Sequence, residues 1–252
     1  MNTRNTYRMW NIFGLLAVLA ANALAQFLPL NNKTTAELSD KHPVLITPAG
    51  YAFSIWSLIY VLLIGFVIYQ LGTRSGASAK NIGPWFFVSC LFNVAWIFAW
   101  HYEYVTTSVF IMIALLLSLI IVYQKIRSAS SSPSTGERLW VRLPFSLYLG
   151  WISVASIVNI TIGLSNAGWE RFGLSEVTWT IVLLIIAFVL ALIIGSVYRD
   201  SFYVLVFVWA FVAIALKQKD YTDIYTTAMV GAIFLGIFAI YVLLRRRKPS
   251  KW

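Results

Sequence analysis

Charge is scarce along this chain, and it is absent from the stretches where a proton or ion carrier would keep it. Between residues 9 and 73 the only charged side chains are Lys33, Glu37, Asp40 and Lys41, and the later apolar runs carry none of Asp, Glu, Lys, Arg or His at their centres. Proteins that move protons through a bilayer hold a few ionisable groups in their spans, so this scarcity argues against a proton-coupled pump. Cysteine is nearly missing as well. Cys90 alone sits inside an apolar run, which excludes an intrachain disulfide and a cysteine-built metal site. The two histidines, His42 and His101, fall at opposite span ends, too few for the three or four converging ligands a metal needs. No Ser/His/Asp order, phosphate-cradling glycine loop or pair of intramembrane carboxylates occurs, so no acid, base, nucleophile or metal constellation calls for an enzyme, and no cofactor is required.

What is present is hydrocarbon. Of 252 residues, 60% are hydrophobic and 11% charged, and the apolar residues gather in runs close to the ~20 residues that cross a bilayer. Eight runs can be drawn, over about 9–30, 48–71, 82–100, 106–124, 140–164, 177–197, 201–216 and 224–244, the seventh being the shortest. The expected fold is an all-α integral membrane protein of about eight transmembrane helices. With eight crossings both termini share one side, which then carries 14 of the 19 Lys and Arg. The positive-inside rule places both termini in the cytoplasm, and a cell-membrane location is expected. The first run also fits a signal peptide ending at Ala23-Leu24-Ala25, but its apolar stretch continues past that triplet, which favours a span. The net charge of +10 could suit a nucleic acid; five of the basic residues, Arg245 to Lys251, instead crowd the tail after an apolar run and read as a membrane-flanking anchor. The polar loop at 31–49 fits a lid over helix ends and a plain solvated connector equally well. The Ser-rich stretch at 125–142 reads as a flexible linker.

Tryptophan is abundant, with 11 in the chain. Trp10, Trp85, Trp100, Trp140, Trp169 and Trp179 fall near run ends and fit an interfacial belt, whereas Trp56, Trp96, Trp151 and Trp209 lie well inside, where an indole N–H wants an acceptor. Helical spacing groups them. Phe53, Trp56 and Tyr60 stand at i, i+3, i+7; Asn93, Trp96 and Trp100 repeat that interval; Trp151, Ala155 and Asn159 stand at i, i+4, i+8, with Tyr148 just before. Aromatic walls with a few polar points describe a small-molecule pocket, while the same residues also glue membrane helices together.

The stretches "TPAGYAFSIWSLIYVLL", "LFNVAWIF" and "GWISVASIVNIT" resemble three helix motifs of the tryptophan-rich sensory protein family, also called the TspO/MBR or translocator protein family. The resemblance covers roughly residues 1–166. It departs from the pattern at Ala49, where a second proline is usual, and at Pro144, seven residues before Trp151 rather than four. It implies a five-helix domain over 1–166 and a pocket for porphyrins, sterol-like molecules and other apolar ligands; the last three runs, over 167–252, have no counterpart in the five-helix members and read as an additional three-helix segment. Carried over by motif, that pocket would include Trp56, Asn93, Trp151 and Ala155, with Phe53, Tyr60, Trp96 and Asn159 on the same faces. The implied function is a membrane receptor or sensor whose partners are the bilayer and a planar hydrophobic ligand such as a tetrapyrrole. A permease or carrier for a neutral or apolar solute is the alternative, and some members of the family that it resembles are connected with light- or oxygen-dependent porphyrin breakdown. The resemblance also implies a homodimer.

Overall fold

The computed structural model describes residues 7–27, 30–72 and 76–245, and every regular element among them is helical. In chain order these are α1 (Arg8–Phe27), α2 (Thr35–Lys41), α3 (Ile55–Leu71), α4 (Ala77–Asn81), α5 (Trp85–His101), α6 (Val105–Ala129), α7 (Thr135–Glu137), α8 (Leu143–Asn166), α9 (Glu176–Tyr198), α10 (Ser201–Lys217) and α11 (Thr222–Arg245). Short 3-10 turns lie at Leu30–Asn32, Gly50–Ser54 and Arg171–Gly173, and a π turn at Arg138–Arg142 leads into α8. Six segments are long and apolar enough to cross a membrane; α5 and α10 are apolar helices of 17 residues. Each of the eight expected runs is therefore an apolar helix. The basic tail beyond Arg245 lies outside the described residues.

The helices stop where local chemistry stops them. Pro144 follows directly on the π turn, where Leu143 N donates five residues back to Arg138 O, so the irregular turn stands where the proline withdraws its N–H from the helix. The Ser175 hydroxyl accepts from Thr178 N at 3.1 Å to open α9, and Arg199 closes it in the left-handed conformation (φ 48°). Asp200 then caps α10, its carboxylate accepting from the amides of Phe202 and Tyr203. Outward faces stay apolar: Val61 and Ile68 of α3 are 62% and 65% exposed, and Val197 of α9 is 68% exposed. Surfaces like these suit hydrocarbon rather than water.

The chain forms two compact units. The first holds residues 1–41 and 54–152, so it includes α1 to α7 and the first part of α8. At its core Phe66, Phe86 and Phe145, from three helices, meet edge to face with centroids 5.0 to 5.5 Å apart. Buried amides tie α1 to its neighbours: Asn11 donates to Gln70 of α3, and Asn22 to Asn93 of α5, each at 3.0 Å. The Trp140 ring lies so close over Gly65 that a Cβ there would enter it. The stretch expected to be a flexible linker is ordered. Ser134 and Glu137 form a capping box, and the Glu137 carboxylate also accepts from the Ser78 amide at 3.0 Å. Arg138 donates to Pro133 O at 3.1 Å and Arg142 to Ser130 O, so polar side chains that suggested solvation are spent on backbone groups.

The second unit holds residues 42–53 and 153–252. Tyr203, Phe207, Ala210, Phe211 and Ala213 of α10 are buried, which fits a short helix packed against both α9 and α11. Gly195 of α9 has no room for a Cβ against Val204 and Phe238. The segment before α3 belongs here too. Ala49 N donates to Ala213 O at 3.2 Å, and the Trp209 indole donates to Ala52 O at 3.0 Å while its ring meets Tyr51 edge-on at 5.3 Å. The two units do not coincide with a division at residue 166.

Candidate functional site

The site is built outward from one buried amide. Asn93 of α5 is 1% exposed, and in a charge-free interior its carbonyl and NH2 both need partners. Its oxygen accepts from Asn22 Nδ2 of α1, and its own NH2 donates to the Tyr148 hydroxyl of α8, both at 3.0 Å. Asn22 also donates to Val18 O one turn earlier in its own helix. A neutral amide can hold three helices together in this way without the cost of burying a charge.

The aromatic wall stands against the same tyrosine. Trp56 and Tyr60 of α3 are stacked, 5.3 Å apart with planes 16° from parallel, and Trp56 meets Tyr148 edge-on at 5.8 Å. Trp56 is half-buried, so part of its ring is left uncovered by protein. The Tyr60 hydroxyl is buried and makes no hydrogen bond of ordinary geometry. Trp151, three residues beyond Tyr148 on α8, is 2% exposed. Trp56, Tyr60, Asn93 and Trp151 thus all belong to the first unit, with Tyr148 linking the indole of Trp56 to the amide of Asn93.

The other expected positions fall elsewhere. Phe53 precedes α3, in the 3-10 turn, so the seven-residue spacing from Phe53 to Tyr60 is not α-helical throughout; the turn belongs to the second unit. Ala155 is half-buried and Asn159 buried, both on the part of α8 that belongs to the second unit. Trp96 is buried and stacked on Trp100 at 5.8 Å and 12°. Its indole N–H has no acceptor. Trp100 is only 4% exposed, which removes it from the interfacial belt: helix packing, not the headgroup region, surrounds it. Tyr148, noted in the sequence beside Trp151 but given no place in the pocket, and Asn22, not noted at all, complete the group. Their signal was a tyrosine one turn before Trp151 and an asparagine stranded in an apolar run.

A cover lies at one end of this unit. Asn31, in the left-handed conformation that asparagine tolerates, donates to His101 O at 3.1 Å. Helix α2 opens on a reciprocal pair, in which Glu37 accepts from Thr34 N at 2.7 Å and Glu37 N donates to Thr34 Oγ1. Lys33 reaches Glu103 at 3.1 Å and Lys41 reaches its other oxygen. The two lysines, Lys41 foremost, hold the Glu103 carboxyl below its ordinary range, and Glu103 in turn raises the Lys41 ammonium. The loop read as a lid or a connector is therefore folded, and it is pinned to the turn between α5 and α6.

A family model described as TSPO-like protein matches residues 8–241. The chain belongs to the TSPO-like family. The match runs through α9, α10 and α11, so the likeness of this TSPO-like protein to its family is not confined to residues 1–166. It extends over all eight apolar helices. Membership makes the TSPO-like chain an integral, multi-pass membrane protein of the sensor or receptor kind. Neither a curated protein nor a solved structure matches it.

Proposed function

We propose that this TSPO-like protein is a receptor for a planar hydrophobic small molecule, tetrapyrrole-like or sterol-like, held within the first unit. The observation that carries the reading is the convergence of the Trp56–Tyr60 stack on the Asn93–Tyr148 pair. A flat π-system gains most from an aromatic face whose far edge offers a fixed hydrogen-bonding group, and small-molecule sites combine such walls with a few polar points. Asn93 retains one N–H and one lone pair beyond its two bonds, and the Tyr60 hydroxyl stands beside Asn22 and Asn93 without a bond of ordinary geometry, so a ligand carbonyl or carboxyl would find partners there. Trp151 supplies a second indole on the helix that carries Tyr148. The cover over Asn31 to Lys41 closes the unit at the end marked by His101 and Glu103.

The test is a porphyrin titration of the purified protein followed by tryptophan quenching. Wild type is expected to quench saturably, and a Trp56→Ala, Trp151→Ala double variant to lose about tenfold or more in affinity, as loss of two stacking faces implies. Equal quenching in both proteins would remove the site. Flux of a neutral solute across liposomes, faster than through empty vesicles, would favour a permease instead.

A further inference from the structure

A second site lies in the other unit and is independent of the ligand reading above. The connection between α8 and α9 folds through Gly168 (φ 74°), Arg171 (φ 54°), Phe172 (φ 56°) and Gly173 (φ 80°). Two successive non-glycine residues in the left-handed region are a strained choice, and strain of this kind collects at functional loops. Its result here is an exposed ring. Phe172 is 82% exposed, yet it meets Trp169 at 5.0 Å and Trp179 at 6.4 Å, while Trp169 and Trp179 stand edge-on at 5.0 Å. Three aromatic rings thus cluster where two apolar helices end, the level at which a bilayer changes from hydrocarbon to headgroup.

Behind the rings is a cavity of about 20 Å³ lined by Thr161, Ser165, Trp169, Arg171, Trp179 and Thr180, with Glu176 at its edge. Two buried donors in that lining have no acceptor, Arg171 Nε and Trp179 Nε1. The threonine hydroxyls give their protons to their own helix, Thr161 to Ile157 O at 2.7 Å and Thr180 to Glu176 O at 2.8 Å, and neither oxygen accepts from these two donors. Buried donors without acceptors are rare in native proteins and point to a missing partner. The space is that of one water-sized oxygen and is too small for a whole ion, so an anionic group would enter it by one oxygen with its remainder outside. Charge narrows the group. The loop carries Glu170 and Glu176 against Arg171, a balance that does not favour a bare anion, and the Arg171–Glu176 pair at 3.6 Å leaves both charges partly exposed.

We infer that this loop binds the zwitterionic headgroup of a phospholipid: one phosphate oxygen accepts from Arg171 Nε and Trp179 Nε1, and the ammonium rests against Glu176 and the aromatic faces. Cations are drawn to the faces of tryptophan and phenylalanine, and a phosphate ester needs two convergent donors to be held in place. Phe172 sits among the acyl carbons next to the headgroups, which explains an exposed phenyl that a soluble loop would not keep.

Native mass spectrometry of the detergent-solubilised full chain tests this with phosphatidylcholine, phosphatidylglycerol and inorganic phosphate as probes. Wild type is expected to retain phosphatidylcholine several-fold more than phosphatidylglycerol, and to show no competition from inorganic phosphate. Trp179→Phe keeps a ring and deletes only the N–H, and is expected to weaken phosphatidylcholine retention about tenfold; Arg171→Gln should weaken it further. If Arg171→Gln does not fold, Trp179→Phe carries the test. Equal retention of the two lipids, displacement by inorganic phosphate, or unchanged retention in Trp179→Phe would each overturn the assignment, the last by showing that the donors hold only water.

Discussion

One asparagine decides how three helices meet. Asn93→Leu removes both bonds of the Asn22–Asn93–Tyr148 chain and leaves the Tyr148 hydroxyl without its donor, whereas Tyr148→Phe removes one bond and keeps the ring against Trp56. Interhelical hydrogen bonds inside membranes contribute about 0.6 kcal/mol on average and up to about 1.7. Asn93→Leu is therefore expected to destabilise by about 1–2 kcal/mol and Tyr148→Phe by less than about 1 kcal/mol, read from thermal or SDS unfolding of the purified protein. A larger loss in Tyr148→Phe than in Asn93→Leu would show that the chain of bonds is not the fastening. At this scale the sequence was half legible. The residue types that matter, an amide and indoles in charge-free runs, stand out because a polar group in hydrocarbon must have a reason. Their pairing did not stand out, since Asn22 and Asn93 are 71 residues apart and no spacing rule links them.

Elements repeat the lesson with the cover and with α3. The positions of the long helices could be read from apolar run length alone, because hydrocarbon thickness fixes it. The order in the loops could not, since it depends on cross-chain pairs such as Lys41 with Glu103 and Ser78 with Glu137. Glu103 has a folded pKa below its ordinary 4.5, so its share of the cover's stability is present above that value and is lost as pH falls through the lower folded one. Lys41 has a folded pKa above 10.5, so its share is present below that value and disappears as pH rises past the folded one. Amide hydrogen exchange over α2, corrected for intrinsic rate, should be slowest between these limits and rise about two- to fivefold at low pH or in Glu103→Gln, a modest change because the pair is largely exposed. Exchange unaffected by Glu103→Gln would mean that Asn31 and the Thr34–Glu37 cap suffice. For α3, Gly65→Leu drives a side chain into the Trp140 ring and is expected to cost about 1–3 kcal/mol. Trp140→Ala should cost less in the Gly65→Leu background than alone, and strict additivity in that double-mutant cycle would deny the contact.

The whole chain is one family pattern from residue 8 to 241, and its crossings can be counted by experiment. The motifs most readily recognised in the sequence lie before residue 166, where tryptophans and asparagines punctuate the runs. The last three helices carry few such marks, and their sequences are nearly pure hydrocarbon with closely packed small residues, among them Gly195, Ala210, Ala213 and Ala228. Periodic apolar sequence reveals a span but not its neighbours, so the membership of residues 42–53 in the second unit, fixed by Trp209 and Ala213, had no local signature. Two helices bear on the count. At 17 residues, α5 and α10 are about 25 Å long, a few ångströms short of a typical hydrocarbon core. Each can still cross where polar flanks and bilayer thinning absorb the mismatch, at a cost of fractions of a kcal/mol per Å. If both cross, the number of crossings is even and the Lys/Arg bias puts residues 3 and 250 in the cytoplasm and the α10–α11 turn outside. Cys90 is buried, which leaves a nearly silent background for labelling. Thr3→Cys and Ser250→Cys should resist a membrane-impermeant maleimide on intact cells and react after permeabilisation, while Lys219→Cys should react at once. Labelling of one terminus but not the other would make the count odd, and α5 or α10 would then be the helix that turns back, because both fall short of the bilayer, whereas α3, also of 17 residues, reaches 22 with the 3-10 turn that leads into it.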